Sequence, residues 1–146
     1  MNKVVLTGND LDLEQLVAVC RDHVKVEIDE KAIADVNKSR EYVEEIVEEE
    51  RVVYGINTGF GSLSRVSISK EDSAQLQENI IRTHASGFGN PLPEDEVRGV
   101  MLIRINSLLK GVSGIRLSTI ELLLEMLNRN VVPFIPEKGS LGASGD

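Results

Sequence analysis

The sequence predicts a mainly α fold with a short two-stranded β element. Apolar residues recur at helical spacing through most of the 146 residues. Several of these runs open on capping signals and close on glycine or proline. Strand-like runs are confined to two short stretches near the N-terminus.

Val4-Val5-Leu6 reads as the first strand, ended by the Thr7-Gly8-Asn9-Asp10 turn. Asp12 with Gln15 makes a capping box, and Leu11 with Leu16 a hydrophobic staple, so a helix runs to about Arg21. Val24-Lys25-Val26-Glu27-Ile28 alternates and reads as a second strand, paired with the first. Asp29 caps the next helix, with Ile28 and Ile33 as its staple. That helix sets Ile33, Val36, Val43, Ile46 and Val47 on one face and Glu41, Glu44, Glu45, Glu48, Glu49 and Glu50 on the other. From about 54 to 68, glycine and serine break the period and predict a loop. Ser69 with Asp72 restarts a helix that runs to about Ser86, where Gly87-Phe88-Gly89-Asn90-Pro91 ends it. Pro93 and the acidic Glu94, Asp95 and Glu96 suit a helix first turn. The helix they open is apolar on most sides through Leu109, which predicts burial in the full protein, and Gly111-Val112-Ser113-Gly114 stops it. Ser118 with Glu121 gives a further capping box, stapled by Leu117 and Leu122, for a last helix ending near Asn130. Residues 131–136 read as extended.

Composition bounds the function. Sixteen Lys and Arg against 24 Asp and Glu give a net charge of −8, with no basic stripe. That balance argues against nucleic acid and anionic membranes as partners. No apolar run is long enough to span a membrane. Met1-Asn2-Lys3 leads straight into the first strand without a signal-peptide pattern, so a cytoplasmic location is expected. The single cysteine, Cys20, reads as a buried structural thiol in a reducing compartment. His23 reads as a surface residue. No His, Cys, Asp and Glu group has metal-ligand spacing.

The chemistry-bearing residues lie in two glycine-rich stretches. One is Tyr54-Gly55-Ile56-Asn57-Thr58-Gly59-Phe60-Gly61. It lacks the third glycine of a dinucleotide fingerprint and any Gly-Lys-Ser/Thr, so nucleotide binding is discounted. Tyr54 is either a structural tyrosine at a helix-loop junction or a general base. A phenol ordinarily titrates near pH ~10, so a base role needs surroundings that lower it. Asn57 could be a turn residue alone. The other stretch is Ile135-Pro136-Glu137-Lys138-Gly139-Ser140-Leu141-Gly142-Ala143-Ser144-Gly145-Asp146. Ser144 could be a serine in a small-residue turn. A hydrolase elbow would need Gly-x-Ser-x-Gly, whereas Gly145 directly follows Ser144. Ala-Ser-Gly can also cyclise. Without a Cβ, Gly145 lets its nitrogen reach the Ala143 carbonyl carbon. Loss of water from the ring and from the Ser144 side chain then leaves an electrophilic methylidene.

Together the two stretches strongly resemble the histidine and aromatic amino-acid ammonia-lyase family, over nearly the whole chain. Family members are several times longer, so the resemblance makes residues 1–146 the N-terminal domain of a larger all-α lyase fold, without its central and C-terminal helical regions. It implies a 4-methylidene-imidazol-5-one (MIO) built from Ala143, Ser144 and Gly145, with no metal and no PLP. It implies Tyr54 as catalytic base on a mobile loop, closed over substrate with the help of Gly55, Gly59 and Gly61. Asn57 and Gly61 would bind substrate, and Asp146 would support the site. Within the family, the dipeptide at Thr83-His84 tracks substrate type, and Thr-His looks like the histidine type, so His84 would meet the substrate imidazole. The implied reaction is deamination of L-histidine to urocanate and ammonia by a homotetramer. Phenylalanine or tyrosine lyases and aromatic aminomutases are the alternatives, of which Thr83-His84 disfavours the lyases. From another class, the chain could be an inactive unit of folding or association. In the family the active sites draw on several subunits and on residues further downstream. The isolated chain is therefore expected to be inactive, with its Ala143-Ser144-Gly145 uncyclised.

Overall fold

The computed structural model describes residues 2–54, 56, 58, 75–76, 78–79, 81–83 and 85–139. The chain divides into two compact units, one of Met1–Tyr42 with Leu92–Ile135 and one of Val43–Pro91 with Pro136–Asp146.

The first unit opens with strand β1 (Lys3–Leu6), helix α1 (Leu13–Arg21) and strand β2 (Lys25–Ile28). β1 and β2 pair in parallel, Val4 beside Val26 and Leu6 beside Ile28. A parallel pair needs a crossover, and α1 supplies it. The Asp12 capping box forms as predicted: Gln15 N–H donates to Asp12 Oδ1 at 2.8 Å, and Asp12 N–H to Gln15 Oε1 at 3.2 Å. Helix α2 (Glu30–Glu48) is capped as predicted by Asp29, whose Oδ1 accepts from the Lys31 and Ala32 amides.

Helices α3 (Glu94–Leu108) and α4 (Leu117–Asn128) complete this unit. Its core gathers Val4 and Leu6 from β1, Val19 from α1, Val26 from β2, and Ala32 and Val36 from α2. Val97, Met101, Leu102, Ile105 and Leu108 of α3 join Ile120 and Leu127 of α4. Two glycines permit close backbone approach. A Cβ on Gly8 (φ 91°) would lie 2.9 Å from the Leu109 carbonyl carbon, and one on Gly111 (φ 66°) 2.8 Å from the Asp35 carbonyl carbon. Both positions combine positive φ with contact, so only glycine fits.

Two elements differ from the sequence reading. α4 starts at Leu117 with Arg116 as its N-cap and no side-chain cap bond, so the predicted Ser118 capping box does not form. Its proposed staple fails as well, because Leu122 is 62% exposed. The core decides this register: burying Ile120 and Leu127, one heptad apart, turns Leu122 outward. A second ribbon also appears. β3 (Phe88–Pro91) pairs antiparallel with β4 (Pro136–Lys138), where the sequence suggested only a helix stop and an extended run. In this chain Val100 and Ile103 of α3 are exposed, while the burial read from the sequence is that of the full protein.

The second unit holds the end of α2 and the β3–β4 ribbon. Of the helix predicted from Ser69 to Ser86, Gln75, Leu76, Glu78, Asn79, Ile81, Arg82 and Thr83 are helical, and its start lies outside the described residues.

Candidate active site

Tyr54 follows the C-terminus of α2. That helix ends in a Schellman turn: Arg51 N–H donates to the Ile46 carbonyl at 3.1 Å and Glu50 N–H to the Val47 carbonyl at 3.3 Å, with Glu50 at φ 54°. The turn fixes where the chain leaves the helix. The next turn closes with Ile56 N–H on the Val53 carbonyl at 3.1 Å. It sets the Tyr54 side chain at the surface, 58% exposed. Thr58, four residues on, is buried. The residue expected to act as base is thus more than half exposed at the head of its motif.

The ribbon joins the stretches that carry the other candidates. In β3–β4, Phe88 lies beside Lys138 and Pro91 beside Pro136. Antiparallel pairing brings the chain that enters β3 and the chain that leaves β4 to the same end of the ribbon. Four residues before Phe88 comes His84, and five after Lys138 comes Ala143. At that end a Cβ on Gly139 would sit 3.9 Å from the Gly87 Cα, and a Cβ on Gly87 would lie 2.6 Å from Cγ of Pro136, the first residue of β4. Lys138 Nζ lies 6.0 Å from the centre of the Phe88 ring. Asn57, Gly61, His84, Ala143, Ser144, Gly145 and Asp146 lie outside the described residues, so of the predicted site residues the structure places Tyr54 alone.

The donor set bears on the cofactor question. Ala-Ser-Gly holds the nitrogen, the carbonyl carbon and the β-hydroxyl that ring closure and dehydration require, so these residue types fit an MIO precursor. Among the described residues no group of His, Cys, Asp and Glu could hold a metal ion. No helix among them is long and apolar enough to cross a membrane. Cys20 is buried as expected. Desolvation raises its thiol above the ordinary range, and the Arg98 guanidinium pulls the other way. A thiol held protonated is a poor nucleophile.

A family model described as aromatic amino acid lyase matches residues 11–146. The chain belongs to the aromatic amino acid lyase family. It is 67% identical, over its whole length, to a histidine ammonia-lyase from Streptococcus pyogenes serotype M5. It spans 29% of the length of that curated relative. Among solved structures it resembles the histidine ammonia-lyase from Trypanosoma cruzi (TM-score 0.87, 38% identity, 94% of this chain and 27% of that one). It equally resembles the tyrosine aminomutase from Streptomyces globisporus (TM-score 0.88, 36% identity, 94% and 26%). The fold is thus common to lyases and aminomutases, and only the sequence similarity leans toward the histidine enzymes.

The sequence reading took Gly87 as part of a helix stop and Pro136 as the end of an extended run, without their close approach. The signal was present: Gly87-x-Gly89 in a short extended run marks a close backbone approach as well as a helix stop.

Proposed function

We propose that this chain is the N-terminal part of a histidine ammonia-lyase, which converts L-histidine to urocanate and ammonia. The 67% identity over the whole chain carries this reading, and Thr83-His84 supports histidine as substrate. Forming urocanate removes a proton from the substrate Cβ and the amino group from Cα. Tyr54 takes the Cβ proton as a general base. The His84 imidazole pairs with the substrate imidazole, one ring donating where the other accepts. Asn57 and Gly61 contact substrate on the Tyr54 loop, and Asp146 steadies the residues before it. When formed from Ala143, Ser144 and Gly145, MIO supplies the electrophile that makes the amino group a better leaving group. Metal and PLP have no part in this scheme. The assembled enzyme is a cytoplasmic homotetramer, and the isolated chain is expected to turn over no substrate.

The test replaces the matching segment of the Streptococcus pyogenes relative with this chain. Urocanate release from L-histidine, lost on Tyr54→Phe and on Ser144→Ala, supports the proposal. A folded chimera that yields cinnamate, coumarate or β-amino acids but no urocanate overturns it in favour of the aromatic lyases or aminomutases.

A further inference from the structure

We propose that the exposed apolar face shared by α1 and α3 is a docking surface for the downstream part of the same polypeptide in the full-length enzyme. The inference rests on reading this chain as the N-terminal part of a longer lyase.

The two helices lie side by side and antiparallel within the first unit. Arg21 Nε, at the end of α1, meets Asp95 Oδ2, at the start of α3, at 3.2 Å. Further along α3, a Cβ on Gly99 would sit 3.4 Å from Cys20 Sγ, so the helices approach closely there. At the opposite end Leu13 and Ile103 line one groove, together with the half-buried Leu11 and Leu16. Four apolar side chains stand out on this surface: Leu13 (78% exposed) and Val17 on α1, and Val100 and Ile103 (53% exposed) on α3. Leu13 and Val17 are four residues apart and Val100 and Ile103 three, so each pair shares a helix face. Because Leu13 and Ile103 meet in the groove, the two pairs form one surface.

Three observations choose the occupant. The first is that α3 is apolar on its core side as well, through Val97, Met101, Leu102 and Ile105. A helix apolar on both sides belongs in an interior. The chain spans 29% of its curated relative's length, so in the proposed enzyme most of the polypeptide that could complete that interior lies downstream. The second is size. Four such side chains expose on the order of 400 Å², about half of the ~800 Å² per partner that separate chains bury in a stable complex. A segment joined through the same backbone avoids much of the translational and rotational loss that separate partners incur, so a small patch can hold it. The third is charge. Asp12 and Glu14 line the groove beside its apolar residues. The segment that fits is an amphipathic helix, with apolar residues at three- and four-residue spacing and Lys or Arg beside them.

The test compares the isolated chain with the chimera made with the Streptococcus pyogenes relative, each carrying Ile103→Cys. Iodoacetamide is expected to alkylate the new thiol freely in the isolated chain and roughly 100-fold more slowly in the native chimera, where a cover must open first. Val100→Cys repeats the measurement if Ile103→Cys unfolds the chimera. A benzophenone amino acid in place of Glu14 identifies the cover. On irradiation its adduct is expected at single-subunit mass, joined to a peptide downstream of position 146. Equal alkylation rates in the two folded proteins overturn the inference. So does an adduct at twice the subunit mass, or no adduct at all. A slow thiol in an isolated chain that sizes as a dimer makes a second copy the occupant and overturns it too. Urocanate release by the unsubstituted chimera reports separately on the lyase reading. Its absence beside a protected thiol counts against that reading and supports the cover, whereas urocanate beside an unprotected thiol overturns the cover alone.

Discussion

Arg98 is the most consequential single residue in the described structure, and it lies away from the candidate site. It is 2% exposed in the second turn of α3. Its Nη2 and Nε donate to the Val19 carbonyl at 2.8 and 3.2 Å, and its Nη1 to the Leu127 carbonyl at 3.0 Å and to Asn130 Oδ1 at 2.7 Å. Val19 and Leu127 lie in the last turns of α1 and α4, whose dipoles present negative ends there. The guanidinium thus satisfies the Val19 carbonyl and adds a second bond to the Leu127 carbonyl, which also accepts from Asn130 N–H at 3.3 Å. Arg98→Ala removes these buried bonds and is expected to cost roughly 2–5 kcal/mol, read from urea unfolding. The sequence held a sign of this role. Arg98 shares a face with Met101, Leu102 and Ile105, which is an apolar position for a charged residue. Helical period alone cannot show what such a residue bonds to. Cys20 gives a second residue-scale prediction. Its thiol is raised in the folded state, so the folded chain holds the proton more tightly than the unfolded one. Stability should therefore fall as pH rises through the thiol range, with the contribution intact below it. Iodoacetamide should alkylate Cys20 slowly in buffer and quickly in urea. Equal rates would contradict its burial.

At the scale of elements, chain reversals separate what was legible from what was not. Asp12 and Asp29 were legible because their caps need only neighbours within three residues. Asp12→Ala should cost about 1 kcal/mol in urea unfolding. The C-terminal turns were less legible. α2 and α4 both end in Schellman turns, yet put Glu50 (φ 54°) and Asn130 (φ 57°) where glycine is usual. Glu50→Gly removes left-handed strain at the expense of unfolded-state entropy, with a net gain of roughly 0.5–1 kcal/mol expected in thermal unfolding. Apart from the β1–β2 pair, pairing between distant stretches was hidden. Asn128 acts as a small piece of strand: its Oδ1 accepts from Val26 N–H at 2.9 Å and its Nδ2 donates to the Val26 carbonyl at 2.8 Å. The β3–β4 ribbon escaped notice for the same reason. Its strands are short, rich in glycine and proline, and far apart in sequence, so no local period announces them. The Ser118 box shows the converse, a sound local motif overruled by the register that buries Ile120 and Leu127.

For the whole molecule, the sequence speaks more clearly about chemistry than about shape. Ala143-Ser144-Gly145 and the Tyr54 stretch carry the sequence resemblance because the chemistry proposed for them needs adjacent residues in a fixed order. Substrate choice is different, since in the proposed enzyme it would depend on residues beyond this chain, which spans 29% of a relative's length. The folds of a histidine lyase and a tyrosine aminomutase match this chain almost equally. The claim of histidine specificity therefore rests on Thr83-His84 and overall identity. A competition assay tests it most directly. The chimera with the Streptococcus pyogenes relative is given equal concentrations of L-histidine, L-phenylalanine and L-tyrosine, and the products are separated by chromatography. The account predicts urocanate as the dominant product. Dominant cinnamate, coumarate or a β-amino acid would contradict it.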